Sequence, residues 1–132
     1  MKLNPDCIRD ILLFCEERCT AVSEAEFSGD SALETGGRSY QSDELFYHLN
    51  QCRLNGYFTK AGADIVGNYT VQDLTPKAHE FLANIRSDSV WNDVKGIAVK
   101  TGSKSLAALT QIATAVVSEI IRATLRANGV IS

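Results

Sequence analysis

Residues 42–91, SDELFYHLNQCRLNGYFTKAGADIVGNYTVQDLTPKAHEFLANIRSDSVW, decide the fold. Ser42 reads as a helix cap, with Asp43 and Glu44 in the first turn, where carboxylates complement the helix dipole. Leu45, Leu49 and Cys52 recur at steps of four and three on one face, which Phe46 and Leu54 widen. Asn55-Gly56 ends the helix, because glycine takes the left-handed conformation a helix terminus asks for. Tyr57-Phe58-Thr59 and Tyr69-Thr70-Val71 are β-prone runs, and Gly62 and Gly67-Asn68 punctuate the chain between them. A two-stranded ribbon is expected, with its turn between Gly62 and Asn68. Thr75-Pro76 then starts a further helix, which buries Phe81, Leu82 and Ile85.

Outward from that centre, the N-terminal flank begins with another helix start. Asn4 caps, Pro5 suits the first helical position, and Ile8, Ile11, Leu12, Cys15 and Cys19 form one apolar stripe. Residues 23–39 are polar and glycine-containing and read as a loop with one helical turn at Ser31–Glu34. On the C-terminal flank, Ser89 to about Val99 is helical, with Val90, Trp91 and Val94 on one side. Ser103–Ala127 is a longer helix closed by Asn128-Gly129. A helix, a helix ending in glycine, a β-ribbon and a further helix follow the order of a winged helix-turn-helix. The expected fold is mainly α with a small antiparallel β-ribbon. It comprises a winged-helix-like domain over residues 1–87 and a helical extension over 88–132, whose helix 103–127 serves oligomerisation.

The chain has 132 residues, of which 45% are hydrophobic and 22% charged, a globular balance that excludes a disordered chain. Charge is divided unevenly. Residues 1–83 carry seven Lys/Arg and thirteen Asp/Glu, a net of −6, and residues 84–132 carry six and three, a net of +3. The opening MKLNPDCIRD holds no apolar run of a signal peptide. The apolar stretch from Leu106 to Leu125 is interrupted by Gln111, Glu119 and Arg122, and its uncharged run falls short of the ~20 residues that span a bilayer. A cytoplasmic protein without membrane contact is expected, and its four cysteines, Cys7, Cys15, Cys19 and Cys52, are then thiols.

Three segments carry a resemblance: MKLNPDCIRDILLF, YQSDELFYHLNQCRLNGYF and, above all, LTPKAHEFLANIRSDSVW. They resemble an uncharacterised family of small phage- and prophage-encoded proteins with a winged-helix-like fold. The family's Tyr-His-Leu corresponds to Tyr47-His48-Leu49. Its Leu-Thr-x-x-Gly-His-Glu-Phe-Leu-x-x-Ile-Arg segment corresponds to Leu74, Thr75, His79, Glu80, Phe81, Leu82, Ile85 and Arg86, and its Val-Trp to Val90-Trp91. Ala78 stands where the family pattern has glycine. The resemblance implies fold and phage origin, with Tyr47, His48, His79, Glu80, Arg86 and Trp91 as motif residues. It implies no biochemical activity.

Candidate chemistry is sparse. Cys15-x-x-x-Cys19 and His48-x-x-x-Cys52 each place two side chains one helical turn apart, and meeting helices would offer zinc three thiolates and an imidazole. The competing reading is that these cysteines are small buried hydrophobes on amphipathic helices, and it is preferred because no Cys-x-x-Cys knuckle is present. No metal and no cofactor are therefore expected. His48 and His79, the only histidines, would pair with Asp43 or Glu80 as a general-base couple or serve as structural hydrogen-bonding groups, which is preferred. No serine lies in a nucleophile elbow, and Gly36-Gly37 precedes no Lys-Ser/Thr phosphate cradle. The expectation is a protein that is not an enzyme.

Function is expected to lie in contacts. The helix that would enter a DNA groove carries Asp43 and Glu44 in its first turn and only Arg53 near its end, while the wing offers Lys60 against Asp64. That balance favours a module that faces protein rather than DNA, and the resemblance adds that it is a non-catalytic, phage-associated regulatory or host-interacting module acting through protein–protein contacts, with a host protein as a candidate partner. The alternative is a winged-helix DNA-binding transcriptional regulator. In the last helix, Leu106, Leu109, Ala113, Val116, Ile120, Ala123 and Ala127 keep the 3-4 spacing of a coiled-coil seam, beside a second stripe of Ile112, Ile121 and Leu125. A homo-oligomer joined through Leu109, Val116, Ile120, Ile121 and Leu125 is expected.

Overall fold

A computed structural model of the chain describes residues 1–28, 33–35 and 38–131. Two compact units are present, Met1–Leu82 and Ala83–Ser132. More than half of the chain is helical, with a small antiparallel sheet, so the expected mainly α architecture with a small β element is observed.

The first unit opens with helix α1 (Pro5–Arg18). Asn4 has extended backbone and its side chain accepts a hydrogen bond from the Asp6 N–H at 3.1 Å, with Pro5 following as the first helical residue. Ile8, Ile11, Leu12 and Cys15 are buried, as their spacing predicts, and Cys7 joins them. Cys19 lies just past the helix end and is half-buried.

The segment read as a loop contains three strands, β1 (Ala25–Phe27), β2 (Leu33–Thr35) and β3 (Arg38–Tyr40). Leu33 and Glu34 are extended rather than helical; Ser31, Ala32 and Gly36-Gly37 lie outside the described residues. Strands of three residues show no resolvable alternation, and β1 exists because it is paired: Ala25 faces Val71 and Phe27 faces Tyr69 across an antiparallel ladder. A tertiary partner supplies what local sequence does not.

Helix α2 (Ser42–Leu54) begins at the residue expected to cap it. Gln41 is the N-cap and makes no side-chain cap hydrogen bond, while Ser42 is already helical. Leu45, His48, Leu49 and Cys52 are buried, but Leu54 is exposed and does not extend that face. Gly56, with φ 79°, ends the helix. Strands β4 (Phe58–Ala63) and β5 (Tyr69–Leu74) form the expected ribbon, with Phe58 opposite Leu74 and Ala63 opposite Tyr69. Asp64 ties its turn, accepting hydrogen bonds from the Val66 and Asn68 N–H groups at 3.0 and 2.9 Å. The sheet runs β1-β5-β4, so β5 is central, which accounts for the burial of Tyr69, Val71 and Leu74.

Helix α3 (Pro76–Ile85) starts at Thr75, whose hydroxyl accepts from the Ala78 N–H and donates to the Gly56 carbonyl at 2.7 Å. Lys77 donates to the Asn55 carbonyl at 2.8 Å, so both groups cap the end of α2. Tyr57 and Phe81 stack with centroids 5.5 Å apart.

In the second unit, α4 (Asp88–Thr101) is capped by Ser87 and starts one residue before the expected Ser89, and α5 (Leu106–Ala127) is capped by Ser105 and starts three residues after the expected Ser103. Each cap serine accepts from the N–H three residues on, at 3.2 and 3.1 Å. Gly102, left-handed at φ 70°, closes α4 and turns the chain into α5. Trp91, Val94 and Ala98 are buried on α4, and Leu106, Leu109 and Ala113 on α5.

Candidate functional site

His48 is fully buried, and both ring nitrogens are engaged by backbone. The Asn4 N–H donates to Nε2 at 2.7 Å. Nδ1 lies 2.7 Å from the Glu44 carbonyl, an acceptor only, so Nδ1 carries the proton and the ring is neutral. Burial holds its pKa below the ordinary histidine value, against the raising influence of the Glu44 carbonyl and carboxylate. Such a ring clips the start of α1 to the first turns of α2 and has no free nitrogen for a proton-transfer role. Tyr47 stands edge-on to it, with centroids 5.0 Å apart. His79, Glu80 and Arg86, by contrast, are exposed, and Trp91 is buried in the second unit. The motif residues therefore divide into an internal group and a surface group.

The four residues of the candidate zinc set are not gathered around one point. His48 is turned to backbone partners on both sides, and the Cys19 thiol donates to the Val71 carbonyl at 3.5 Å. Among the described residues no group of three or more His, Cys, Asp or Glu side chains is placed to hold a metal ion. Burial pushes the Cys7 thiol up to about 12 and raises Cys15, Cys52 and, less deeply placed, Cys19. Thiols so shifted stay protonated at neutral pH, as small buried apolar groups do and activated nucleophiles do not.

One polar cluster was not foreseen from the sequence. Asp10 is buried on α1, and the Tyr40 hydroxyl donates to its Oδ2 at 2.6 Å. Arg38 approaches Asp10 at 3.6 Å and Asp6 at 3.4 Å. Burial raises the Asp10 pKa, and the Tyr40 hydrogen bond and Arg38 partly offset it. Residues 38 and 40 share one face of β3, so a strand presents both to α1 where a loop would not. The i, i+2 spacing of Arg38 and Tyr40 was the available signal.

Two apolar surfaces remain. The tip of the β4–β5 ribbon presents Ile65 at 104% and Val66 at 75% exposure, with Asp64 at its base. Lys60, within β4, has φ 42°, a left-handed backbone unusual for a non-glycine residue. In the second unit a groove of about 540 Å³ runs between α4 and α5. Gly96, Ile97, Ala115, Val116 and Ile120 line it, and Asp93, Lys100 and Glu119 stand at its rim. Of the expected contact residues, Leu109 is fully buried within the chain, Val116 and Leu125 are half-buried, and Ile120 and Ile121 are 45% and 52% exposed. The open part of the seam therefore begins at Val116. By length and composition α5 is also apolar enough to cross a membrane, more than its interrupted sequence had suggested.

Comparison with known proteins gives kinship without an activity. No solved structure matches the chain. A protein of Haemophilus influenzae, titled "Uncharacterized protein", is 32% identical over 124 residues, covering 92% of this chain and 99% of that protein. The family described as "Hypothetical protein (DUF2513)" matches residues 2–104, from the start of the first unit to the turn ahead of α5. That match takes in, but for Met1, all three segments in which the resemblance was read, and the chain belongs to the DUF2513 family.

Proposed function

We propose that this protein is a non-catalytic regulatory module of winged-helix type that works in the cytoplasm by binding other proteins, a second copy of itself among them. The observation that carries the reading is the ribbon tip. A wing that meets DNA presents cations to phosphates, whereas this one presents Ile65 and Val66 to solvent above Asp64. The first turn of α2 adds Asp43 and Glu44, and the first unit as a whole carries six more negative than positive charges. Phosphate contact would cost that surface repulsion where affinity is needed. An exposed isoleucine–valine tip is instead suited to an apolar protein surface. Resemblance to phage- and prophage-encoded proteins supports a host protein as the target. In this reading α5 joins two copies.

A second reading, DNA-binding regulator, is favoured by one observation. The strand order β1-β5-β4, with α2 directly ahead of the β4–β5 ribbon, follows the order of a winged helix, in which α2 would be the groove-reading element. Fold likeness is an association rather than a mechanism. Fluorescence anisotropy with a mixed-sequence duplex at low salt separates the two. No binding is expected up to tens of micromolar. Sub-micromolar binding with a steep salt dependence would replace the first reading with the second. Ile65→Asp with Val66→Asp is expected to abolish capture of the host partner while leaving the circular dichroism spectrum unchanged.

A further inference from the structure

We propose that the open half of α5 packs antiparallel against α5 of a second copy, so that each copy's C-terminal end fills the other's α4–α5 groove. The proposal rests on the reading of α5 as a self-association helix and specifies its geometry.

Helix length points to it first. α4 has 14 residues and α5 has 22, and the tight turn after Gly102 aligns the end of α4 with the start of α5. At 1.5 Å per residue α5 outruns α4 by about 12 Å, all of it at the C-terminal end. There the apolar side chains Ile120 and Ile121 are exposed, and Val130 and Ile131 follow them, exposed at 65% and 39%. The occupant the groove calls for is therefore carried by the same chain, beside the groove, which is what a two-fold interface needs.

Side-chain size selects the direction. The open seam reads Val116, Ile120, Ala123, Ala127. A parallel, in-register pair would set Ile120 against Ile120 and Ala123 against Ala123, leaving the alanine layers underfilled. An antiparallel pair with its two-fold axis between Ile121 and Arg122 sets Ile120 against Ala123 and Val116 against Ala127 of the second copy. Large then meets small in every open layer, as close packing requires.

Charge agrees independently. Glu119 and Arg126 are one heptad apart and flank the seam on the same side. Antiparallel pairing brings Glu119 of one copy beside Arg126 of the other, twice per dimer, and adds to the Glu119–Arg122 pair already formed within each helix. Asp93 at the groove rim adds a further carboxylate toward the incoming arginines.

Gly96 supplies the last observation. It lies inside α4, where glycine weakens a helix relative to alanine. A Cβ built there meets nothing within 4 Å, so no contact within the chain accounts for it. In the groove wall it lets the backbone of an incoming Ala127–Ile131 segment approach closely.

Light scattering of the full chain at tens of micromolar is expected to report two copies. Glu119→Arg and Arg126→Glu, each alone, should weaken the dimer about ten-fold or more, and the double swap should restore it. Gly96→Leu projects into open space, so the monomer keeps its circular dichroism spectrum while the dimer is lost. A dimer indifferent to all these variants would overturn the antiparallel seat and leave self-association standing. A wild-type monomer would overturn both, and a monomer that floats with phosphatidylcholine–phosphatidylglycerol vesicles would assign α5 to a lipid surface instead.

Discussion

Replacing His48 with leucine is the sharpest test of how the first unit is held together. The substitution keeps an apolar body in a fully buried position and removes both ring nitrogens. The Glu44 carbonyl loses little, because it is also placed to accept the helical bond from the His48 backbone N–H. The Asn4 N–H loses its acceptor at 2.7 Å. A partly buried donor left without a partner costs about 1–3 kcal/mol. For a unit of this size, that corresponds to a fall in Tm of roughly 4–8 °C per kcal/mol. The pH dependence carries the stronger signature. The folded-state pKa of His48 lies below the ordinary histidine value of 6.5, so the unfolded chain takes up the proton first. The His48 contribution is therefore fully present above pH 6.5 and is lost as pH falls from there toward the folded pKa. The limiting slope in that window is about 1.4 kcal/mol per pH unit. Asp10, whose pKa is raised, acts with the opposite sign, gaining stability as pH falls, so the quantity to follow is the difference between wild type and His48→Leu. Urea unfolding followed by far-ultraviolet circular dichroism at a series of pH values gives that difference. Long-range nitrogen–proton NMR of the ring gives the tautomer directly. Equal slopes in the two proteins below pH 6.5, or a ring protonated on Nε2, would refute the clip.

Tyr40→Phe should destabilise the chain by about 1.5–3 kcal/mol, because it strips a short hydrogen bond from a buried carboxylate, and Asp10→Asn in the Tyr40→Phe background should recover part of the loss; urea midpoints of the three variants check both statements. Alkylation followed by mass spectrometry should modify half-buried Cys19 first, while Cys7, Cys15 and Cys52, fully buried and with raised pKa values, react only as the chain opens; four thiols reacting at one fast rate would contradict their placement.

Much of the helical architecture was legible because its signals are local. Asn4-Pro5, Thr75-Pro76 and Asn55-Gly56 each mark a helix end through the dihedral angles and orphan backbone groups of two residues, with no need of distant partners. The start of α2 was displaced by one residue, to a Gln41 cap without a side-chain hydrogen bond, and the starts of α4 and α5 by one and three, where Ser87 and Ser89, and Ser103 and Ser105, offer the same cap chemistry. Which serine caps depends on how the apolar face behind it is buried. His48 and His79 show the same limit in the candidate site. Both stand in motif segments, yet one is locked inside and the other lies in solvent.

Periodicity, punctuation and charge in the sequence alone determined a mainly helical chain with one β-ribbon, an acidic first part, a basic last part and an apolar C-terminal helix. The tertiary structure decided what those signals do not contain. It added β1 to the ribbon through pairing with Val71 and Tyr69, and joined Arg38 and Tyr40 to Asp10 across about 30 residues of chain. It also divided the α5 seam into a covered half ending at Ala113 and an open half beginning at Val116. The physical reason is the range of the interactions. Helix caps and amphipathic stripes involve residues within one or two turns of each other. Strand pairing, burial of a carboxylate and exposure of an apolar face depend on segments far apart in sequence that meet only in the folded chain.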